Sequence, residues 1–207
     1  MNQVRNLVLF GLISFSMVSC LSSPSKSYYE IRLLDSSVIS SGSKVKKRLI
    51  LLKDIEVNDF YDDYRLVYRE SKYELNYYTY DFWTSKPDKL LKKELITYMN
   101  AVQDRFVIRD EFDDRLPAYF IECQVEAIEE VDRRTGRFGR LSMLFKLFDN
   151  KNGKLLFRFS FDDVQRYQEN RVSSLPRAIS IVLKRNIDQF IKKMTNYILE
   201  ETNDKKN

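Results

Sequence analysis

The sequence predicts an α+β fold, an antiparallel-rich sheet with two amphipathic helices packed on it, and three observations carry that expectation. Residues 119–161 alternate apolar and polar side chains through three successive segments, joined by polar turns that end in glycine. Residues 87–103 and 175–198 instead repeat apolar side chains at intervals of three and four. The order of segments, four strands, a helix, four strands and a helix, gives helices that cover the apolar face of a sheet.

Tyr28 to Leu34 alternates well enough for a first strand and runs into the Ser-rich stretch from Asp35 to Ser43. Lys47 to Val57 contains Leu49-Ile50-Leu51-Leu52, short enough for a strand buried on both faces. Arg65 to Arg69 and Tyr73 to Trp83 read as a hairpin turning at Glu70-Ser71-Lys72. Pro87 and Asp88 open a helix over 87–103, because Pro suits the first turn and an acid suits the positive helix start. Leu91, Leu95, Tyr98, Met99 and Val102 form its apolar face. Phe106-Val107-Ile108 begins another strand, followed by a charged turn over Asp110 to Leu116.

The three clearest strands follow. Tyr119, Ile121, Cys123, Val125 and Ala127 share one face, then Leu141, Met143, Phe145 and Leu147, then Leu155, Phe157, Phe159 and Phe161. Their turns are Asp132 to Gly136 and Asp149 to Gly153. The last helix presents Ile179, Val182, Leu183, Ile187, Phe190, Ile191, Met194 and Ile198, and burial of each contributes about 1.5–3 kcal/mol. Residues 201–207 are polar and expected to fray.

The first nineteen residues read as an export signal. Arg5 is followed by a charge-free run from Leu7 to Val18, shorter than the ~20 residues of a comfortable membrane span. The run ends in Ser19-Cys20, a small residue before a cysteine, which is the pattern of lipoprotein processing. The expectation is cleavage before Cys20, a covalent lipid on its thiol, and a polar tether over residues 20–27. A single domain over 28–200 would face the periplasm, with the outer membrane favoured because Leu21 and no Asp follows the cysteine.

Composition removes several chemistries. The chain has no histidine, which excludes imidazole acid–base catalysis, Ser-His-Asp and Cys-His sites and His-based metal centres. Its five glycines build no phosphate-cradling loop. Once Arg5 is removed, 34 Lys and Arg face 30 Asp and Glu, a weak and intermixed excess unlike a nucleic-acid binder. With Cys20 lipidated, Cys123 has no disulfide partner and belongs on the apolar face of its strand. The acid pairs Asp62-Asp63, Asp113-Asp114, Glu129-Glu130 and Asp162-Asp163 point to opposite faces where they fall on strands, so they share no proton or metal easily. No enzyme activity, metal or cofactor beyond the covalent lipid is expected.

The densest aromatic segment, Tyr73 to Trp83, is the candidate for a partner contact. Alternation puts Tyr73, Tyr77 and Trp83 on one face and Tyr78, Tyr80 and Phe82 on the other, and with both faces aromatic one of them meets solvent, lipid or a partner. Tyr73, Tyr77 and Trp83 are the residues expected to carry it.

With the segments placed, the chain resembles the ABC-type transport auxiliary lipoprotein family, the accessory lipoproteins of MCE-type lipid transport systems. The resemblance rests on Tyr28-Tyr29-Glu30-Ile31-Arg32-Leu33 after the tether, and on Arg65-Leu66-Val67-Tyr68-Arg69 before the Tyr-rich strand. It rests further on Tyr80-Asp81-Phe82-Trp83 running into the helix at Pro87 with Leu91 and Leu95, and on the long final helix. It implies a non-catalytic subunit, tethered to a membrane, that docks an MCE-domain protein or other ABC transporter component. The alternative is a lipoprotein that itself holds a small apolar ligand or lipid between Phe157, Phe159, Phe161 and the terminal helix.

Overall fold

The computed structural model describes residues 24–34, 48–111, 116–167 and 171–204. Eight strands form one sheet: β1 (Ser27–Tyr29), β2 (Arg48–Val57), β3 (Arg65–Arg69), β4 (Leu75–Trp83), β5 (Phe106–Arg109), β6 (Tyr119–Arg133), β7 (Gly136–Asp149) and β8 (Leu155–Arg166). Two helices, α1 (Pro87–Val102) and α2 (Leu175–Asp204), complete the predicted order. A 3-10 turn at Asp59–Tyr61 separates β2 from β3.

The 15-residue β6 organises the sheet. Along one side it pairs antiparallel with β7 from Tyr119 to Arg133, and β8 continues antiparallel beyond. Along the other side it serves two shorter strands in succession. Its first half pairs parallel with β2, from Ile50↔Tyr119 to Val57↔Val125, and β5 lies parallel outside β2. Its far end pairs parallel with β3 through Tyr68↔Glu130 and Arg69↔Val131. Outside β3 come β4, antiparallel, and then the short β1, parallel to β4. The sheet is therefore mixed, because β2 and β3 run the same way as β6 and only the hairpins reverse direction.

Both helices cover one face. All eight apolar residues expected on α2 are buried, and Leu91, Leu95, Tyr98 and Met99 are buried on α1. Val102 is not: it is 44% exposed at the last residue of α1, and Leu90 joins the buried face instead. The helices meet where the Tyr98 hydroxyl donates to Asp188 and Lys184 Nζ donates to Tyr98. The terminal segment expected to fray is helical through Asp204.

The strand expected over 28–34 is shorter, because after Tyr29 side chains on the helices take the backbone donors. Arg32 N–H donates to Ser180 Oγ on α2 at 3.1 Å, and Leu33 N–H donates to Glu94 Oε2 on α1 at 3.0 Å. Ile31 and Leu33 are buried beneath this crossing.

A bulge in β6 breaks its alternation. Val125 pairs with Met143, but the next pairs are Ala127↔Ser142 and Ile128↔Leu141, so the extra residue switches the parity of the strand. Before the bulge, Tyr119, Ile121, Cys123 and Val125 face the helices as expected. After it Ile128 and Glu130 face the helices, and Ala127 turns to the outer face. Opposite Glu130 lies Gly139 of β7, where α2 approaches the backbone closely. A Cβ added there would lie 2.9 Å from Ala178 Cβ and 3.2 Å from Leu175 Cδ1.

Replacing Gly139 by Val should destabilise the domain by about 2 kcal/mol or more in urea unfolding, as overpacking forces helix and strand apart. A loss below about 0.5 kcal/mol, the size of an ordinary surface change, would contradict this close contact.

Candidate functional site

Glu129 and Glu130, adjacent on β6, point to opposite faces as expected, the bulge turning Glu129 to the outer one, and both are buried. On the outer face the Glu129 carboxylate is saturated. Arg69 donates to it through Nε at 2.8 Å and Nη2 at 3.0 Å, Arg140 Nη1 at 2.7 Å, and the Tyr61 hydroxyl at 2.6 Å. Arg140 also forks onto Asp162 of β8 through two bonds of 2.7 Å. Hydrogen bonds to these carboxylates hold the Arg69 and Arg140 guanidinium groups firmly charged, and hydrogen bonding to Arg140 holds Asp162 below the usual carboxylate range. Burial, and then Glu129 itself, push the Tyr61 phenol up. A carboxylate with four donors in place is a structural clamp across β3, β6, β7 and β8, with no lone pair presented to a substrate.

On the helix face, Glu130 accepts from the Tyr167 hydroxyl and lies 3.5 Å from Arg137 Nη1. Burial and the Glu130 charge push the Tyr78 and Tyr167 phenols up. Glu130 forms the floor of an open cleft of about 560 Å³ between β3–β4 and the β6–β7 hairpin. Tyr68 and Tyr78, with ring centroids 4.8 Å apart, line one wall, and Arg133, Arg134 and Arg137 bring the hairpin's positive charge to the other. Tyr73 stands at the same end of the sheet in the β3–β4 turn, 89% exposed, with Lys72 Nζ 5.4 Å from its ring centre.

The residues expected to form one aromatic face are separated. Between Val67↔Tyr77 and Arg65↔Phe82 the register of β3 and β4 shifts, so alternation does not carry from Tyr77 to Trp83. Tyr77 lies on the outer face, stacked on Phe60 at 4.6 Å with Arg65 3.9 Å from its ring centre, and its hydroxyl donates to the Phe60 carbonyl. Trp83 is turned into the core and is 2% exposed, too buried to form a surface contact. Of the three, Tyr73 alone stands free at the surface. The cleft around Glu130 was missed because Asp132 to Gly136 reads as an ordinary polar turn; the run of arginines at 133, 134 and 137 was its available signal.

The remaining expectations resolve by position. Cys20, Asp113 and Asp114 lie outside the described residues. Cys123 is buried, and burial pushes its thiol far up, as fits a packing role. Asp162 and Asp163 point apart as expected, one to Arg140 and the other to Arg185 and Asn186 on α2. Among the described residues no cluster of three Asp, Glu or Cys side chains is placed to hold a metal ion. Where the alternative reading places an apolar ligand, aromatic rings pack on one another, Phe161 among them at 6.3 Å from Phe159 and 6.4 Å from Phe145. The rings of Phe145, Phe157, Phe159 and Phe190 pack at centroid distances of 4.8–6.4 Å, and Phe157 also meets Tyr197 at 5.8 Å.

Residues 33–190 match the family model of the ABC-type transport auxiliary lipoprotein component. No protein of curated function matches the sequence. Among solved structures, the crystal structure of an uncharacterized protein superposes with a TM-score of 0.69 at 15% identity, covering 83% of this chain and 99% of that one. A Xanthomonas campestris protein of the DUF330 family does so with a TM-score of 0.69 at 12% identity, covering 86% of this chain and 99% of its own. A hypothetical protein of Chlamydia trachomatis follows with a TM-score of 0.51 at 5% identity, covering 73% and 98%. These structures share the fold.

Trp83→Ala should cost about 3–5 kcal/mol of stability in urea unfolding, as a core cavity does, whereas Tyr73→Ala should stay within about 0.5 kcal/mol. A Trp83→Ala loss no larger than that of Tyr73→Ala would place Trp83 at the surface after all.

Proposed function

The chain belongs to the ABC-type transport auxiliary lipoprotein family, and we propose that it is a non-catalytic docking subunit of an MCE-type lipid transport system. In this reading a lipid on Cys20 holds it in the cell envelope, facing the periplasm and more at the outer membrane than the inner. Its folded domain binds an MCE-domain protein or another component of the ABC transporter.

The observation that supports a docking role is the polarity of β4. The segment arriving from Cys20 enters the sheet as β1, which pairs with the C-terminal end of β4 at Asp81, Phe82 and Trp83. The opposite end of β4, on the order of 20 Å away along the strand, follows the turn that carries Tyr73 and adjoins the arginine-lined cleft. An anchored end and a free end on one rigid sheet are what a subunit needs to hold a partner at a distance from its membrane. The free end offers exposed tyrosine and arginine, residue types that dominate binding energy at interfaces. The packing of Phe145, Phe157, Phe159 and Phe190 speaks against the apolar-ligand alternative, since the rings meet one another rather than line a pocket between sheet and helix.

The test is a crosslinked pull-down of the full-length lipoprotein from membranes, with wild type, Tyr73→Ala and Arg134→Glu compared by mass spectrometry. The expected result is recovery of MCE-domain or ABC permease components, reduced about fivefold or more by the two substitutions together. Equal recovery with both variants would keep the function and move the contact elsewhere. Absence of any transport component would overturn the reading.

A further inference from the structure

We infer that the outer face of the β1–β4 edge, carrying Lys26, Tyr28 and Phe82, rests on the surface of the lipid bilayer that anchors the chain. This inference rests on the lipidation of Cys20 proposed above.

Chain length supplies the first argument. Seven peptide steps separate Cys20 from Ser27, the first residue of β1. Even fully extended they span at most about 25 Å. A domain of this size has a radius of gyration of about 16 Å, hence a diameter of about 40 Å. The tether is shorter than the domain is wide, so the β1 edge stays near the membrane while the far side of the domain cannot reach it.

The chemistry of that edge supplies the second. Parallel pairing of Ser27, Tyr28 and Tyr29 with Asp81, Phe82 and Trp83 sorts the side chains into two faces. Trp83 goes to the core on one face, where the Tyr29 hydroxyl also donates to Asp81 at 2.8 Å. On the other face the Tyr28 ring meets Phe82 with centroids 5.7 Å apart, and Lys26 Nζ lies 5.3 Å from the centre of the Phe82 ring. Tyr28 is 61% exposed, and Tyr80, nearby on β4, is itself 43% exposed. Exposed rings that lie together in this way mark a candidate contact surface. Tyrosine places an apolar ring and a polar hydroxyl at one boundary, which is the environment of the headgroup region. Lys26 adds a positive charge for lipid phosphates. The nearby acids do not cancel it, because Glu30 is paired with Arg32 and Asp81 faces inward.

The edge thus combines a short tether, exposed rings and a cation that pairs with no acid among the described residues, close to where the anchor holds the chain to the bilayer. Its partner is a phospholipid surface with anionic headgroups, and contact would fix the tilt of the sheet so that the free end of β4 points away from the membrane.

The experiment uses the mature lipoprotein in vesicles of phosphatidylethanolamine and phosphatidylglycerol with brominated acyl chains. A fluorophore is attached at Tyr80→Cys or, as the control, at Lys192→Cys on the exposed side of α2. Cys123 is buried and does not compete for the label. Flotation with the vesicles reports anchoring, and bromine quenching reports contact. The expected result is flotation of both proteins with at least about twofold stronger quenching at position 80 than at 192, lowered by Lys26→Glu. Flotation with equal quenching at both positions overturns the membrane-contact proposal and leaves the anchor intact. Failure to float overturns the lipidation of Cys20, and the proposal falls with it. Quenching at position 80 that depends on an added transport component, and not on lipid alone, assigns the face to a protein partner and likewise overturns it.

Discussion

A carboxylate shut away from water costs several kcal/mol unless opposite charge and hydrogen bonds meet it. Glu129, whose side chain has no exposure, is met by two arginines and a tyrosine that reach it from β3, β7 and the turn before β3. Much of the outer half of the domain depends on this arrangement. The ladder joining β3 to β6 consists of Tyr68↔Glu130 and Arg69↔Val131, so backbone pairing alone attaches β3, β4 and β1 weakly. The forked Arg69–Glu129 contact pins that three-stranded unit to the long strand, and Arg140 carries the same charge network on to Asp162 in β8. The β6 bulge makes this possible, because without the parity switch Glu129 would face the helices.

The bulge also explains how one strand serves two tasks. Its first half closes a conventional apolar core between sheet and helices, with Ile121, Cys123 and Val125 buried under α1 and α2. Its second half places one glutamate on each face, Glu129 beneath the 3-10 turn and Glu130 at the floor of the arginine-lined cleft. Stability and the free end of the sheet are therefore built from adjacent residues. In the proposed docking role, a contact at the free end would be braced by the same strand that forms the core.

The element order and the α2 stripe from Ile179 to Ile198 were legible because helical and strand periodicities are properties of local spacing. Strand direction was not legible: whether β2 pairs parallel or antiparallel with β6 depends on a partner about seventy residues away, and both leave the same alternation. The aromatic face failed for a related reason. Strict alternation joins Tyr73, Tyr77 and Trp83, but an irregularity between Tyr77 and Phe82 reverses the parity, and no residue type in that stretch announces it. The first strand was overextended because Ser180 and Glu94, distant in sequence, capture the amides of Arg32 and Leu33. The cleft was hidden in a turn whose arginines look ordinary until β3 and β4 are brought beside them.

Hydrogen exchange followed by mass spectrometry on Glu129→Gln tests whether the Glu129 clamp holds the β1–β4–β3 unit to the rest of the sheet. Amides of β3, β4 and β1 are expected to exchange about tenfold or more faster in the variant, while the β7–β8 turn near Asp149 and the apolar stretch of α2 keep their protection. Unchanged protection in β3 and β4, or a uniform loss across the whole domain, would contradict it.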